Sequence, residues 1–199
     1  MKKIFAIGFL LCIFSAIGGL FWYTEWRYNL PTPLPGKYQA VKAMEHIELA
    51  NRFTPAKQGA VFLHFFNPDC PCSKFNIPHF KSLVTEYESK VNFAVVVLTN
   101  DKKYTAEKIQ QKFGLTVPVL FDSSLAASCG VYSTPQAVLL DDNRSLYYRG
   151  NYNRSRYCTD KKSNYAQQAL DSLLANKQQP RFNGFALKAY GCTLPICSK

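Results

Sequence analysis

Ala60-Val61-Phe62-Leu63-His64-Phe65-Phe66-Asn67-Pro68-Asp69-Cys70-Pro71-Cys72-Ser73-Lys74 decides how the rest of the chain is read. From Ala60 to Phe66 every residue but His64 is apolar, which suits a strand buried on both faces. A short turn follows, and a helix is expected to begin at the pair Cys70 and Cys72. The first N–H groups of a helix lack internal partners and favour negative charge beside them. A cysteine placed there is held toward its thiolate, the form that attacks disulfides. The segment therefore suits a redox nucleophile.

Working outward, Val91 to Leu98 (VNFAVVVL) is a second buried strand with no polar face. Between the two, Lys74 to Lys90 is helical in pattern, interrupted by Pro78. Thr105 to Phe113 reads as a short helix stopped by Gly114. Val117 to Phe121, Gln136 to Leu140 and Ser145 to Arg149 read as strands, and Asn164 to Ala175 as a closing helix. Upstream, Val41, Met44, Ile47 and Leu49 are spaced as in an amphipathic helix over Tyr38 to Phe53. Alternating strands and helices argue for an α/β layer with helices on both faces.

At 199 residues and 47% apolar, the chain can bury one ordinary core and carry an appendage. Lys2 and Lys3 precede an apolar run from Ile4 to Tyr23, and about 20 such residues cross a bilayer. Residues 1–26 are expected to be an N-terminal transmembrane helix, with a cleaved signal peptide as the alternative. The leading lysines place the N-terminus in the cytoplasm and the soluble part outside, on the periplasmic side of an inner membrane. Residues 27–36 contain three prolines and read as a stiff linker, residues 37–176 as the folded domain, and 177–199 as a cysteine-containing tail. The formal charge of +11 would suit nucleic acid, but the basic residues are scattered and the expected side of the membrane argues against it.

Four features in order resemble the thioredoxin superfamily, and its membrane-tethered TlpA/ResA and redoxin branch in particular. Phe65 and Phe66 stand five and four residues before Cys70, Pro78 stands eight after it, and Thr134-Pro135 precedes an apolar strand. Pro118-Val119-Leu120-Phe121-Asp122 is the fourth. The resemblance implies a central mixed sheet with helices on both faces, a cis peptide at Thr134-Pro135, and a thiol–disulfide oxidoreductase. Protein thiols or disulfides would be its partners, with a membrane-embedded redox partner besides. Thr134 would then touch an extended substrate through its main chain. The resemblance calls for no cofactor or metal, and the chain has no phosphate loop, Ser–His–Asp order or zinc finger.

The chain departs from the family at one place. The second cysteine of the usual C-x-x-C would fall at position 73, which is Ser, and the extra cysteine is Cys72. Cys70 is expected to attack and Cys72 to resolve the mixed disulfide, a distant cysteine such as Cys129 or an external thiol being the other routes. His64, six residues before Cys70, occupies the slot of a buried acid and could shuttle protons near neutral pH, or could be a satisfied core histidine. Cys158 and Cys192 are expected to form a structural bridge, with a redox relay through Cys192 and Cys197 as the alternative and Cys129 a buried thiol.

Rival readings remain. A peroxiredoxin-like peroxidase would carry Thr or Ser where Asn67 stands, and a Cu(I)-binding protein would add a histidine later than His79. A domain kept only for protein contact is the third.

Overall fold

The computed structural model describes residues 2–49, 52–176 and 180–194. Helix α1 (Lys2–Thr24) is long and apolar enough to cross a membrane, and none of it is buried in the protein. A 3-10 turn (Trp26–Asn29) follows it. The folded part is built from β1 (Val61–Phe66), α2 (Pro71–Tyr87), β2 (Asn92–Val97), α3 (Ala106–Phe113), β3 (Val119–Leu120) and α4 (Ser123–Ser128). It continues with β4 (Ser133–Thr134), β5 (Gln136–Leu140), β6 (Leu146–Gly150), α5 (Tyr165–Leu174), α6 (Gly184–Leu187) and β7 (Cys192–Thr193).

Five strands form a mixed sheet in the order β3-β2-β1-β5-β6. β1, β2 and β3 run parallel, whereas β5 is antiparallel to both β1 and β6. Because β1 is central, its side chains feed two cores. Phe62 and Phe66 pack with Ile77, Phe80 and Leu83 of α2, Ile109 of α3 and Leu170 of α5. Val61, Leu63 and Phe65 pack on the other face with Leu125 of α4 and with Ile47, Leu49 and Phe53. Each such side chain, taken fully out of water, contributes about 1.5–3 kcal/mol. This is a thioredoxin-like fold, with helices on both faces as the sequence implies.

Helix ends follow local chemistry. Thr105 caps α3 by accepting from Lys108 N, and Gly114 ends it in the left-handed region at φ 59°. Asp122 caps α4, a helix that the sequence reading missed.

The helix expected over Tyr38 to Phe53 does not form. After a turn at Ala43 and Met44, residues 45–49 run extended beside the start of β6, with Met44 N and Ile47 N donating to Leu146 O and Arg144 O, and Leu146 N to Glu45 O. Ile47 and Leu49 are buried while His46 and Glu48 are exposed, an alternation of period two that decides the matter.

Residues 27–36 are not a free spacer either. Thr32 is buried, its N–H donates to Ala189 O at 2.7 Å, and its hydroxyl donates to Gly191 O at 2.7 Å. Linker and tail are thus laced together across the domain.

Candidate active site

Cys70 is the N-cap of α2, and Pro71 occupies the first helical position, where a missing N–H costs nothing. The preceding turn is locked from both sides. Cys70 N donates to Asn67 O at 3.1 Å, and Asn67 N donates to the hydroxyl of Ser73 at 3.2 Å. Ser73, fully buried, therefore holds the turn where the family pattern has its second cysteine. Thr134-Pro135 is cis, as the resemblance implies.

Cys70 is joined in a disulfide to Cys192, 122 residues away. The expected Cys158–Cys192 bridge is therefore corrected. β7 brings Cys192 opposite Thr134 of β4, the residue just before Pro135, and this pairing delivers the tail sulfur to the start of α2. Cys70, Cys72 and Cys192 form one buried cluster. Cys158 is instead a thiol in the loop after β6, held at φ 55°, and the amide of Asn76 donates to its sulfur at 3.1 Å. Burial pushes that thiol up to about 11, against the opposing effect of the Asn76 bond.

Cys129 packs on the other face of the sheet with Val61, Leu63 and Phe65. Burial pushes it up to about 12, so it is an inert core thiol away from the site. Cys12 lies exposed on α1, and Cys197 lies outside the described residues.

A cavity of about 360 Å³ opens beside the cluster. Cys72, Asn76, Pro135, Tyr152, Arg156 and Cys158 are among the residues that line it, and Trp26, Tyr28 and Tyr190 add aromatic rings to its wall. Arg156 bridges the wall: its guanidinium pairs with Glu25 at 2.9 Å and lies 4.6 Å over the ring of Tyr28. Burial works against its charge, but the Tyr157 hydroxyl and the charges of Tyr157, Glu25 and Cys72 together hold it above its ordinary range. Sequence reasoning missed Asn76, Tyr152 and Arg156, because only the fold brings them to the cysteines.

His64 faces away from proton traffic. Its ring stacks on Phe80 at 4.5 Å, Tyr152 Oη lies 2.7 Å from Nδ1, and Nε2 is buried with no partner among the described residues. Burial drives it down to about 3, so the expectation of a shuttle titrating near neutrality is corrected. A ring so lowered is a weak base throughout pH 5 to 8 and does not change its charge there.

The unfolded chain binds that proton from about pH 6.5 downward and the folded chain only near 3. The stability associated with neutral His64 is complete above pH 6.5 and is lost as pH falls toward 3, by about 1.4 kcal/mol per unit. Denaturation at pH 6, 5 and 4 should show that slope, and His64→Gln should flatten it by about the same amount. Equal slopes in both chains would contradict the assignment.

Beyond geometry, residues 38–197 match the model of a family described as a domain of unknown function, DUF6436. A thiol–disulfide oxidoreductase named ResA from Halalkalibacterium halodurans is 22% identical over 140 residues, covering 69% of this chain and 80% of that protein. Another protein of that name, from Geobacillus thermodenitrificans, is 29% identical over 96 residues, 47% of this chain and 55% of its own length. Among solved structures, a hypothetical protein of Sinorhizobium meliloti 1021 superposes with a TM-score of 0.63 at 17% identity, covering 79% of this chain and 96% of its own. With a cis proline facing a helix-start cysteine in a mixed five-stranded sheet, the chain belongs to the DUF6436 family and is a thioredoxin-like protein akin to the ResA thiol–disulfide oxidoreductases.

Proposed function

We propose that this protein is a membrane-tethered thiol–disulfide oxidoreductase, its soluble domain on the extracytoplasmic side, acting on protein thiols or disulfides through Cys70. The observation that carries the reading is the Cys70–Cys192 disulfide at the start of α2, beside Thr134 and Pro135. Helix α1 supports the tether, and Lys2 and Lys3 support the orientation.

In the reduced enzyme the Cys70 thiolate attacks one sulfur of a substrate disulfide. A Cys70–substrate bond forms, and the other substrate sulfur leaves as thiolate and takes a proton from water. The Cys192 thiolate then attacks Cys70 Sγ, forming Cys70–Cys192 and releasing the second substrate thiol. An external dithiol reduces that bond again, supplying two electrons and two protons. Run backward, the same steps oxidise a substrate dithiol.

The resolving role expected of Cys72 passes here to Cys192, because Cys192 is the sulfur joined to Cys70. Cys72, with Arg156 in electrostatic reach, remains the third sulfur of the cluster. The test is acid-trapping during turnover of a protein disulfide. The Cys70–substrate adduct should accumulate in Cys192→Ser and stay near the parental level in Cys72→Ser. Accumulation in Cys72→Ser alone would return the resolving role to Cys72. No adduct in any form would remove the oxidoreductase reading.

A further inference from the structure

We propose that the tail strand β7 lies in the groove where the substrate binds, and that this groove takes an extended peptide with glycine immediately before its cysteine. The inference rests on the oxidoreductase reading and adds to it the class of substrate and the residue that selects it.

The tail's hydrogen bonds in this groove are made through its main-chain atoms. β7 pairs antiparallel with β4, Thr134 opposite Cys192 and Ser133 opposite Thr193. The hydroxyl of Ser133 donates to Cys192 O at 3.0 Å. Thr32 donates through its hydroxyl to Gly191 O and through its N–H to Ala189 O, both at 2.7 Å. Any extended peptide owns the same carbonyls and N–H groups, so strand addition at Thr134 does not require this particular tail.

Ala189 and Leu194 pack their side chains as well, but two features of the tail bear directly on the reacting sulfur. One is the sulfur of Cys192, joined to Cys70 as a substrate sulfur would be in the mixed disulfide. The other is Gly191. A Cβ at Gly191 would lie 2.1 Å from Thr134 O and 2.6 Å from Ser133 Oγ, so a side chain there clashes with the backbone that the peptide must pair with. The position before the reacting cysteine thus admits glycine alone without displacing β4.

Tail and substrate then alternate in one groove. Attack by Cys192 on Cys70 Sγ requires β7 to return to Thr134, and its return takes away the pairing that held the substrate. Resolution and release become a single displacement.

The experiment uses the full-length chain in detergent. The probe is a hexapeptide with the sequence of residues 189–194, its cysteine activated as the mixed disulfide with thionitrobenzoate. Attack by Cys70 joins the peptide sulfur to Cys70 and expels thionitrobenzoate, which is read by absorbance while the adduct is located by mass. In Cys192→Ser, the glycine probe should react at least tenfold faster than the same peptide with valine before its cysteine. The reduced parent chain should show the same preference, so the result does not depend on the variant folding. It should also react with the glycine probe about tenfold more slowly than a reduced Gly191→Val chain, whose own tail no longer fits against Thr134 O and so no longer competes.

Equal rates for the glycine and valine probes overturn the groove, as do equal rates for the reduced parent and Gly191→Val. Free dithiobis-nitrobenzoate is the control. If it labels Cys70 while the glycine preference is missing, only this inference falls. If it fails to label Cys70 in any form, the oxidoreductase reading falls as well.

Discussion

Replacing Cys70 by serine should reduce turnover of a protein disulfide by about 10³-fold or more, down to uncatalysed exchange, as loss of an enzyme's nucleophile generally does. A serine hydroxyl ionises far outside the physiological range and forms no bond to sulfur under these conditions, so nothing in the side chain's place can start the exchange. The other sulfurs are poor substitutes. Cys129 is pushed to about 12 on the far face of the sheet, and Cys158 to about 11 by burial. Cys72 and Cys192 are its neighbours in the same cluster, and Cys72 alone shares the first turn of α2, so the comparison that matters is Cys70→Ser against Cys72→Ser. The measurement is steady-state reduction of a protein disulfide with an excess of small dithiol. Residual activity above one tenth in Cys70→Ser, together with its loss in Cys72→Ser, would make Cys72 the nucleophile.

Reducing the Cys70–Cys192 bond should lower the stability of the folded domain by about 2–5 kcal/mol. The bond spans 122 residues, and closing a loop of that order removes about 4.7 kcal/mol of chain entropy from the unfolded state. β7 has two residues, and it is supported by hydrogen bonds to Thr32, Tyr132 and Ser133 and by the packing of Ala189 and Leu194. With a urea m-value of about 1–3 kcal/mol per molar, the unfolding midpoint should move by about 1–2 M between oxidised and reduced protein. Cys192→Ser should match the reduced form and not respond to reductant. A shift under about 0.5 M would mean that the sheet and α5 hold the domain closed without the cross-link.

Legibility of the fold followed how local its causes were. β1 and β2 could be read directly, since two uninterrupted apolar runs have few other ways to be buried. Gly114, Pro78 and Thr134-Pro135 were legible because proline restricts the backbone, and glycine frees it for the left-handed region, wherever they stand. The stretch from Tyr38 to Phe53 misled because Val41, Met44 and Ile47 fit a helical period, while the alternation from His46 to Leu49 is short and its partner lies about 100 residues on. The sulfur pairing was out of reach for the same reason. Six extramembrane cysteines allow 15 connectivities, and the choice depends on the β4–β7 pairing, which leaves no periodic trace in the tail. His64 was found as a buried ionisable group, but its isolation among Phe80, Phe66 and Tyr152 is a property of packing.

The clamp between Arg156 and Glu25 fixes how far the site stands from α1. Glu25 is the residue after Thr24, where the helix ends, and Trp26 and Tyr28 already form part of the cavity wall. With α1 in a bilayer, as proposed, the cysteines sit at the lipid–water boundary and do not sweep a volume on a flexible tether. Encounters with a partner embedded in the same bilayer then become a search over a surface. Their frequency follows the number of partners per unit area, and diluting both proteins into separate micelles slows them even when every group at the site is intact.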